Sequence, residues 1–191
     1  MAKAPSSITT MKRFYNDRLH VETREDLEAE LLGGNDRSAI ITIASHAEGN
    51  LQYLIGSSLP HLRKAEQKEW AETFRHDGPL GTFSACIKVA LYLTLIDEPL
   101  RDQLDDLRDM RNAVAHTHRR VTFDDVELQN VAKRIFAPKG MFPLLADSPD
   151  GVRRTFVAEG LLINSMLIFG RDEAVRKTRQ SFVESGQPPP F

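Results

Sequence analysis

The sequence predicts an all-α fold, a single-domain bundle of about seven helices. Apolar residues recur at helical spacing along almost the whole chain. No segment alternates apolar and polar residues for more than a few positions, which argues against a sheet. Ser, Thr, Asp or Asn stands ahead of most of the apolar stripes, and Gly or Pro follows several of them, as helix starts and stops favour.

Composition agrees. The chain has 191 residues, 41% hydrophobic and 27% charged. That is ordinary globular material, and one domain of this length buries roughly 70% of its unfolded surface. The formal net charge is −2. Proteins that grip nucleic acid by counterion release carry a clear basic excess, so any nucleic-acid contact must be local or weak. The lone cysteine, Cys86, excludes an intrachain disulfide and a paired-cysteine zinc site. It suits a reducing, cytoplasmic setting. The N-terminal stretch has no apolar h-region of the secretory kind. The longest apolar run, Val157 to Gly170, falls short of the ~20 residues that cross a membrane, so no membrane association is expected.

The elements follow in order. Thr23 and Asp26 suggest a capping box for a first helix with Leu27, Leu31 and Leu32, stopped by Gly33-Gly34. A second helix starts near Asn35 or Asp36, carries Ile40, Ile43, Ala44, Ala47, Leu51, Leu54 and Ile55 on one stripe, and ends around Ser57. A charged third helix spans about 61–75. His76 to Gly81 is a turn by composition. Thr82 caps a fourth helix reaching about 96, apolar nearly all round and so placed at the centre. Asp97 caps a fifth, with Pro99 in its first turn and Leu100, Leu104, Leu107 and Val114 buried. Thr122 and Asp125 form a second capping-box pair for a sixth helix through Ile135. A loop at 137–147 leads to Ser148-Pro149 as N-cap and N1 of a long seventh helix. Val152, Phe156, Leu161, Leu162 and Met166 mark its stripe, and Gly170 is a candidate break. Residues 22–183 form the structured core, and 184–191, rich in proline, a disordered tail. The helices at 36–57, 82–96, 98–116 and 150–170 make the core. The fourth and seventh look too apolar for the rest to cover, which points to a homodimer.

Residues 78–116 carry the functional signal. They read GPLGTFSACIKVALYLTLIDEPLRDQLDDLRDMRNAVAH. The GPLGTF turn, followed about thirty residues later by R-x-x-R-N-x-x-A-H, resembles the mannitol operon repressor (MltR) family. The R-N-x-x-x-H element is also similar to the signature of the wider HEPN group of small helical domains. The resemblance is strongest over 78–125. The first family implies a bacterial regulator of a carbohydrate operon, and the charge balance suggests that it acts through a protein partner. The second implies a metal-independent endoribonuclease using Arg111, Asn112 and His116. Arginine offers a planar fork for phosphate, histidine moves a proton near neutral pH, and asparagine orients either.

Spacing complicates that chemistry. Residues five apart on a helix diverge by roughly 140°, so Arg111 and His116 cannot face one phosphate within one uninterrupted helix. Asn112 and His116, four apart, share a face. Either a helix end near 115 or a two-fold dimer bringing two motifs together would resolve this, and the HEPN resemblance implies the dimer. The competing reading is structural: Arg111 lies on the apolar stripe of its helix, where Glu48 or Asp109 could hold it.

Arg108, Arg111, His118, Arg119 and Arg120 make a local basic cluster, a candidate phosphate or nucleic-acid surface. It is also what a solvated helix C-terminus favours. No metal site is expected: His116-x-His118 could ligate a metal only with a carboxylate from elsewhere and stands without an HExxH motif or a cysteine pair, and Asp105, Asp106 and Asp109 have Arg101 and Arg108 at helix-pairing distance. No cofactor motif is present, since the Gly78–Gly81 turn lacks GK[ST] and a preceding strand. No helix pair ends in a basic, Gln/Asn-rich recognition helix, so direct operator reading is the weaker regulator hypothesis.

Overall fold

The computed structural model describes residues 24–59, 67–136 and 149–184. Among them the fold is all helical, with seven helices: α1 Arg24–Gly33, α2 Asp36–Ser58, α3 Gln67–Phe74, α4 Phe83–Tyr92, α5 Glu98–His116, α6 Val126–Phe136 and α7 Pro149–Glu184. The capping pair at Thr23, the 137–147 loop, the Ser148 cap, the first turns of the third helix and the proline-rich tail lie outside the described residues.

The helix starts follow from side chains that compete for free backbone N–H groups. Asn35 accepts from the Ser38 amide at 2.9 Å to open α2, Thr82 from Ala85 at 3.2 Å to open α4, and Asp97 from Leu100 at 3.0 Å to open α5. The sixth helix departs from its predicted start. Asp125 itself accepts from Glu127 at 2.9 Å and is the cap, while Thr122 serves the turn before it through Asp124. The short carboxylate reaches N2 as well as a hydroxyl would, so the helix begins a turn later.

The fourth helix also ends earlier than 96. Tyr92 is its last residue, and the chain reverses through a Schellman turn in which Thr94 donates to Leu91 O and Leu95 to Ala90 O, both at 2.9 Å. That turn needs a left-handed residue, and Thr94 supplies it at φ 56°. Apolar composition alone cannot reveal such a stop, because glycine is the usual marker and is absent here. A β-branched residue in this region is strained. Thr94→Gly is therefore expected to raise stability by about 1 kcal/mol, read as a higher urea midpoint at unchanged slope.

α2, rather than α4, is the central helix. It packs on α7 along its length and also on α5 and α4, burying Ile40, Ile43, Ala44, Ala47, Leu51, Leu54 and Ile55. α2 and α7 run parallel. Asp36 meets Arg153, Ile43 meets Gly160, Asn50 meets Asn164 and Leu54 meets Gly170. The approach is close because Gly160 carries no Cβ: one built there would stand 2.5 Å from Ile43 Cγ2. Glu159 and Asn164, which interrupt the apolar run in sequence, are both buried. Asn164 accepts from Asn50 Nδ2 at 2.7 Å and donates to Gly160 O at 2.9 Å, so the seam includes a satisfied polar contact.

α7 runs unbroken through Gly170 to Glu184, one residue beyond the expected core. A single glycine inside a packed helix costs only about 1 kcal/mol, and Leu54 lies against this one. The buried stripe of α7 is Val152, Phe156, Val157, Leu161, Ile163 and Leu167, with Leu162 and Met166 only half-buried. α6 joins the core through Ala132 and Ile135 against α5 and α7. α3 lies over α2 where Gly56 has no side chain, and Trp70 fills that space between Tyr53 and Phe74. No helix of the described residues is long and apolar enough to cross a membrane.

Candidate functional site

The GPLGTF turn and the Arg111 motif meet at one place, the middle of α2. The turn is tight because its glycines permit it. Gly78 donates to Arg75 O at 2.7 Å and Gly81 to Gly78 O at 3.0 Å, while Leu80 reaches back to Thr73 O at 2.9 Å. A Cβ on Gly78 would strike Glu72 O, and one on Gly81 would strike Arg75 O. No larger residue fits either position without moving backbone. The turn then delivers Phe83 and Cys86 on α4 to the interior.

Arg111 comes from the facing side of α5. Its Nη1 donates to Glu48 Oε2 of α2 at 2.5 Å, with each side chain about a quarter exposed. The guanidinium carbon sits 5.6 Å from the centroid of the buried Phe83 ring, a cation–π placement. Charge, ring face and carboxylate together fix the arginine between α2, α4 and α5. Beneath them Cys86 donates its thiol to Leu80 O at 3.2 Å. Burial, reinforced by the Glu48 charge, pushes that thiol up to about 12. It is a neutral core group at physiological pH, not a nucleophile. Beside Glu48 lies a small cleft of about 210 Å³ that Ser45, Gln52, His76 and Gly81 also line.

The remaining predicted residues separate. Asn112 and His116 are both exposed on α5, with His116 in its last turn. Asn112 Oδ1 is 3.5 Å from Arg111 Nη2, a marginal contact. Arg111 turns inward while His116 faces solvent, so a single chain does not converge them on one phosphate. Arg108 is held by Asp105 at 2.5 Å and Asp109 at 2.7 Å along its own helix. Asp106 instead pairs with Arg134 of α6 at 2.6 Å, a partner that helix spacing cannot reveal. Arg101 takes Asp102, its neighbour. Among the described residues no group of three or more His, Cys, Asp or Glu could hold a metal ion. His118, Arg119 and Arg120 are exposed in the turn after α5. Arg37 of α2 joins them, its Nη2 donating to Arg119 O at 2.6 Å. Nothing local in the sequence marks Arg37, which is 82 residues away along the chain.

Comparison with protein-family models, curated proteins and solved structures finds no match to this chain.

The Arg111–Glu48 contact has a measurable weight. Removing one partner of a largely buried pair strands the other charge. Arg111→Ala should cost about 1–3 kcal/mol, scaled down from the fully buried case because both groups keep some solvent. The double variant Arg111→Met, Glu48→Met should recover most of that loss. Chemical denaturation of the four species closes the cycle. A coupling near zero would show that the pair holds nothing.

Proposed function

We propose that this chain is a bacterial transcriptional regulator of a carbohydrate operon, of the mannitol operon repressor kind, acting by binding another protein. The sequence resemblance over 78–125 supports the class. The observation that carries the mode of action is the use of Arg111: it is spent on Glu48 and Phe83 inside the bundle, which ties the motif to helix packing rather than to substrate. The net charge of −2 disfavours unaided DNA binding. A regulator of transcription works in the cytoplasm, and a buried reduced thiol such as Cys86 suits that compartment.

A homodimer belongs to this reading. Tyr92 and Leu93 at the end of α4, and Ile168 and Phe169 on α7, are large apolar side chains left exposed. They lie on or at the end of the two helices whose apolar composition is the sequence argument for a second copy. Gel filtration should give a dimer, and Phe169→Asp should shift it to monomer.

A metal-independent HEPN-type ribonuclease is the second reading. It is favoured by one observation, the exposure of Asn112 and His116 on one face of α5. One experiment separates the two. The protein, Arg111→Ala and His116→Ala are incubated with a mixed RNA pool in EDTA, and in parallel a carbohydrate-operon reporter is assayed with and without the protein. The regulator reading expects intact RNA, lowered reporter output and no shift of promoter DNA by the isolated protein at physiological salt. Cleavage by the wild type that both variants lose would replace it with the nuclease.

A further inference from the structure

The arginines of this chain are not equivalent. Every arginine with a described side chain has a carboxylate within 4.0 Å, except Arg37, Arg119 and Arg120. Those three are neighbours in space. Arg119 and Arg120 are consecutive, and Arg37 reaches across from the first turn of α2 to the Arg119 carbonyl at 2.6 Å. His116 and His118, both exposed, flank them. Among the described side chains, the guanidinium groups without a carboxylate gather at one end of the bundle, where α5 finishes and α2 begins. The turn is also held: Arg119 N–H donates to Thr117 Oγ1 at 3.3 Å, and Phe123 N–H donates to Asp36 Oδ2 at 2.8 Å. A held turn loses less entropy when a partner docks than a loose one.

We propose that Arg37, Arg119 and Arg120 form a docking surface for a short acidic segment of a protein partner, Asp- or Glu-rich, engaged through guanidinium–carboxylate pairs. This rests on the protein-partner reading above and names the chemistry of that partner. Three features favour an acidic peptide over a nucleic acid. The patch is small, whereas nucleic-acid grooves track several phosphates. The aromatic residue nearest in sequence, Phe123, is buried and offers no face for a base to stack on. Asp124, Asp125 and Glu127 stand exposed just beyond the turn and would repel a continuing polyanion, while a short acidic segment can end before them. Guanidinium forks match carboxylates in bidentate geometry.

The test uses the full chain and two fluorescent probes, a short peptide rich in Asp and Glu and a single-stranded RNA of equal length. Binding is read by anisotropy at low and physiological salt. The expected result is salt-sensitive binding of the peptide, weakened about tenfold or more by Arg119→Glu with Arg120→Glu. Arg37→Glu should act in the same direction. Lys88→Glu with Lys133→Glu removes equal charge from exposed positions elsewhere and should leave binding nearly unchanged. Thermal melts establish that each variant is folded. Tighter binding of RNA through the same arginines overturns the proposal in favour of a nucleic acid. No peptide binding, or an equal loss in the lysine variant, overturns it outright. The reporter separates this from the reading beneath it. If the wild type represses and the Arg119/Arg120 variant represses equally, the surface is wrong and the regulator stands. If the wild type does not repress, the regulator reading fails, and peptide binding still decides the surface.

Discussion

Arg153→Met is expected to cost about 2–4 kcal/mol of folding stability, with the native helix content retained below the transition. Arg153 stands in the first turns of α7 with one fifth of its side chain exposed. Its Nη2 donates to Leu31 O at 2.9 Å and also to Gly34 O. The first lies in the last turn of α1 and the second just past its end, where helical N–H groups run out. Its Nε makes no hydrogen bond; it lies 3.3 Å from Asp36 Oδ1, so the attraction there is Coulombic. The signs agree at both helix ends, a cation at the C-terminus of α1 and a carboxylate at the N-terminus of α2. Asp36 in turn accepts from the Phe123 amide. One side chain thus ties α1, α2, α7 and the turn before α6. Methionine keeps the aliphatic stem and removes only the polar work. The urea midpoint should fall at constant slope, and the melting temperature by roughly 2–4 °C for each kcal/mol. Arg153→Lys, with charge but no fork, should lie between. A loss below about 1 kcal/mol for the methionine variant would mean that water replaces these contacts freely.

Much of this was legible in the sequence, and the reasons differ by element. The 3.6-residue period of α2 and the caps at Asn35, Thr82 and Asp97 are local signals, and the structure has each of them. The end of α4 was not legible, because Thr94 adopts a conformation its side chain disfavours. The centrality of α2 was hidden because α4 is more uniformly apolar; which helix is surrounded depends on partners, and α2 packs on α1, α4, α5 and α7. At the site, Glu48 as the holder of Arg111 was one of two candidates from the stripe position of the arginine. Asp109 pairs with Arg108 instead, on the same helix. Arg37 was invisible, since its contact with Arg119 spans two helices and no short motif. The basic cluster read along one segment therefore divides in space. Arg108 and Arg111 are consumed by carboxylates, and Arg119 and Arg120 gain a neighbour from elsewhere.

Gly160→Val should cost roughly 3 kcal/mol or more, the loss expected when a side chain is forced into a filled seam. In an exposed helix, replacing glycine gains up to about 1 kcal/mol from backbone entropy alone, so the sign here is set by space. A Cβ at 160 would meet Ile43 Cγ2 at 2.5 Å and Cδ1 at 2.9 Å. Ile43 is β-branched and fully buried, so its γ carbons cannot swing away. The helices must separate, and the Asn50–Asn164 hydrogen bond at 2.7 Å stretches with them. Ile43→Ala removes the obstructing atoms, and in that background the valine should be much less harmful, with a coupling above about 1 kcal/mol. Gly49 on α2 is the opposite case. A Cβ there meets nothing within 4 Å, at a residue that lines the cleft beside Glu48, so Gly49→Ala should stabilise by about 0.5–1 kcal/mol. Opposite signs for the two substitutions in one denaturation series would show that the parallel α2–α7 contact, not helix propensity, sets the spacing of the bundle. If both stabilise, the close approach at Gly160 is not what holds the pair together, and the seam owes its order to the Asn50–Asn164 hydrogen bond instead.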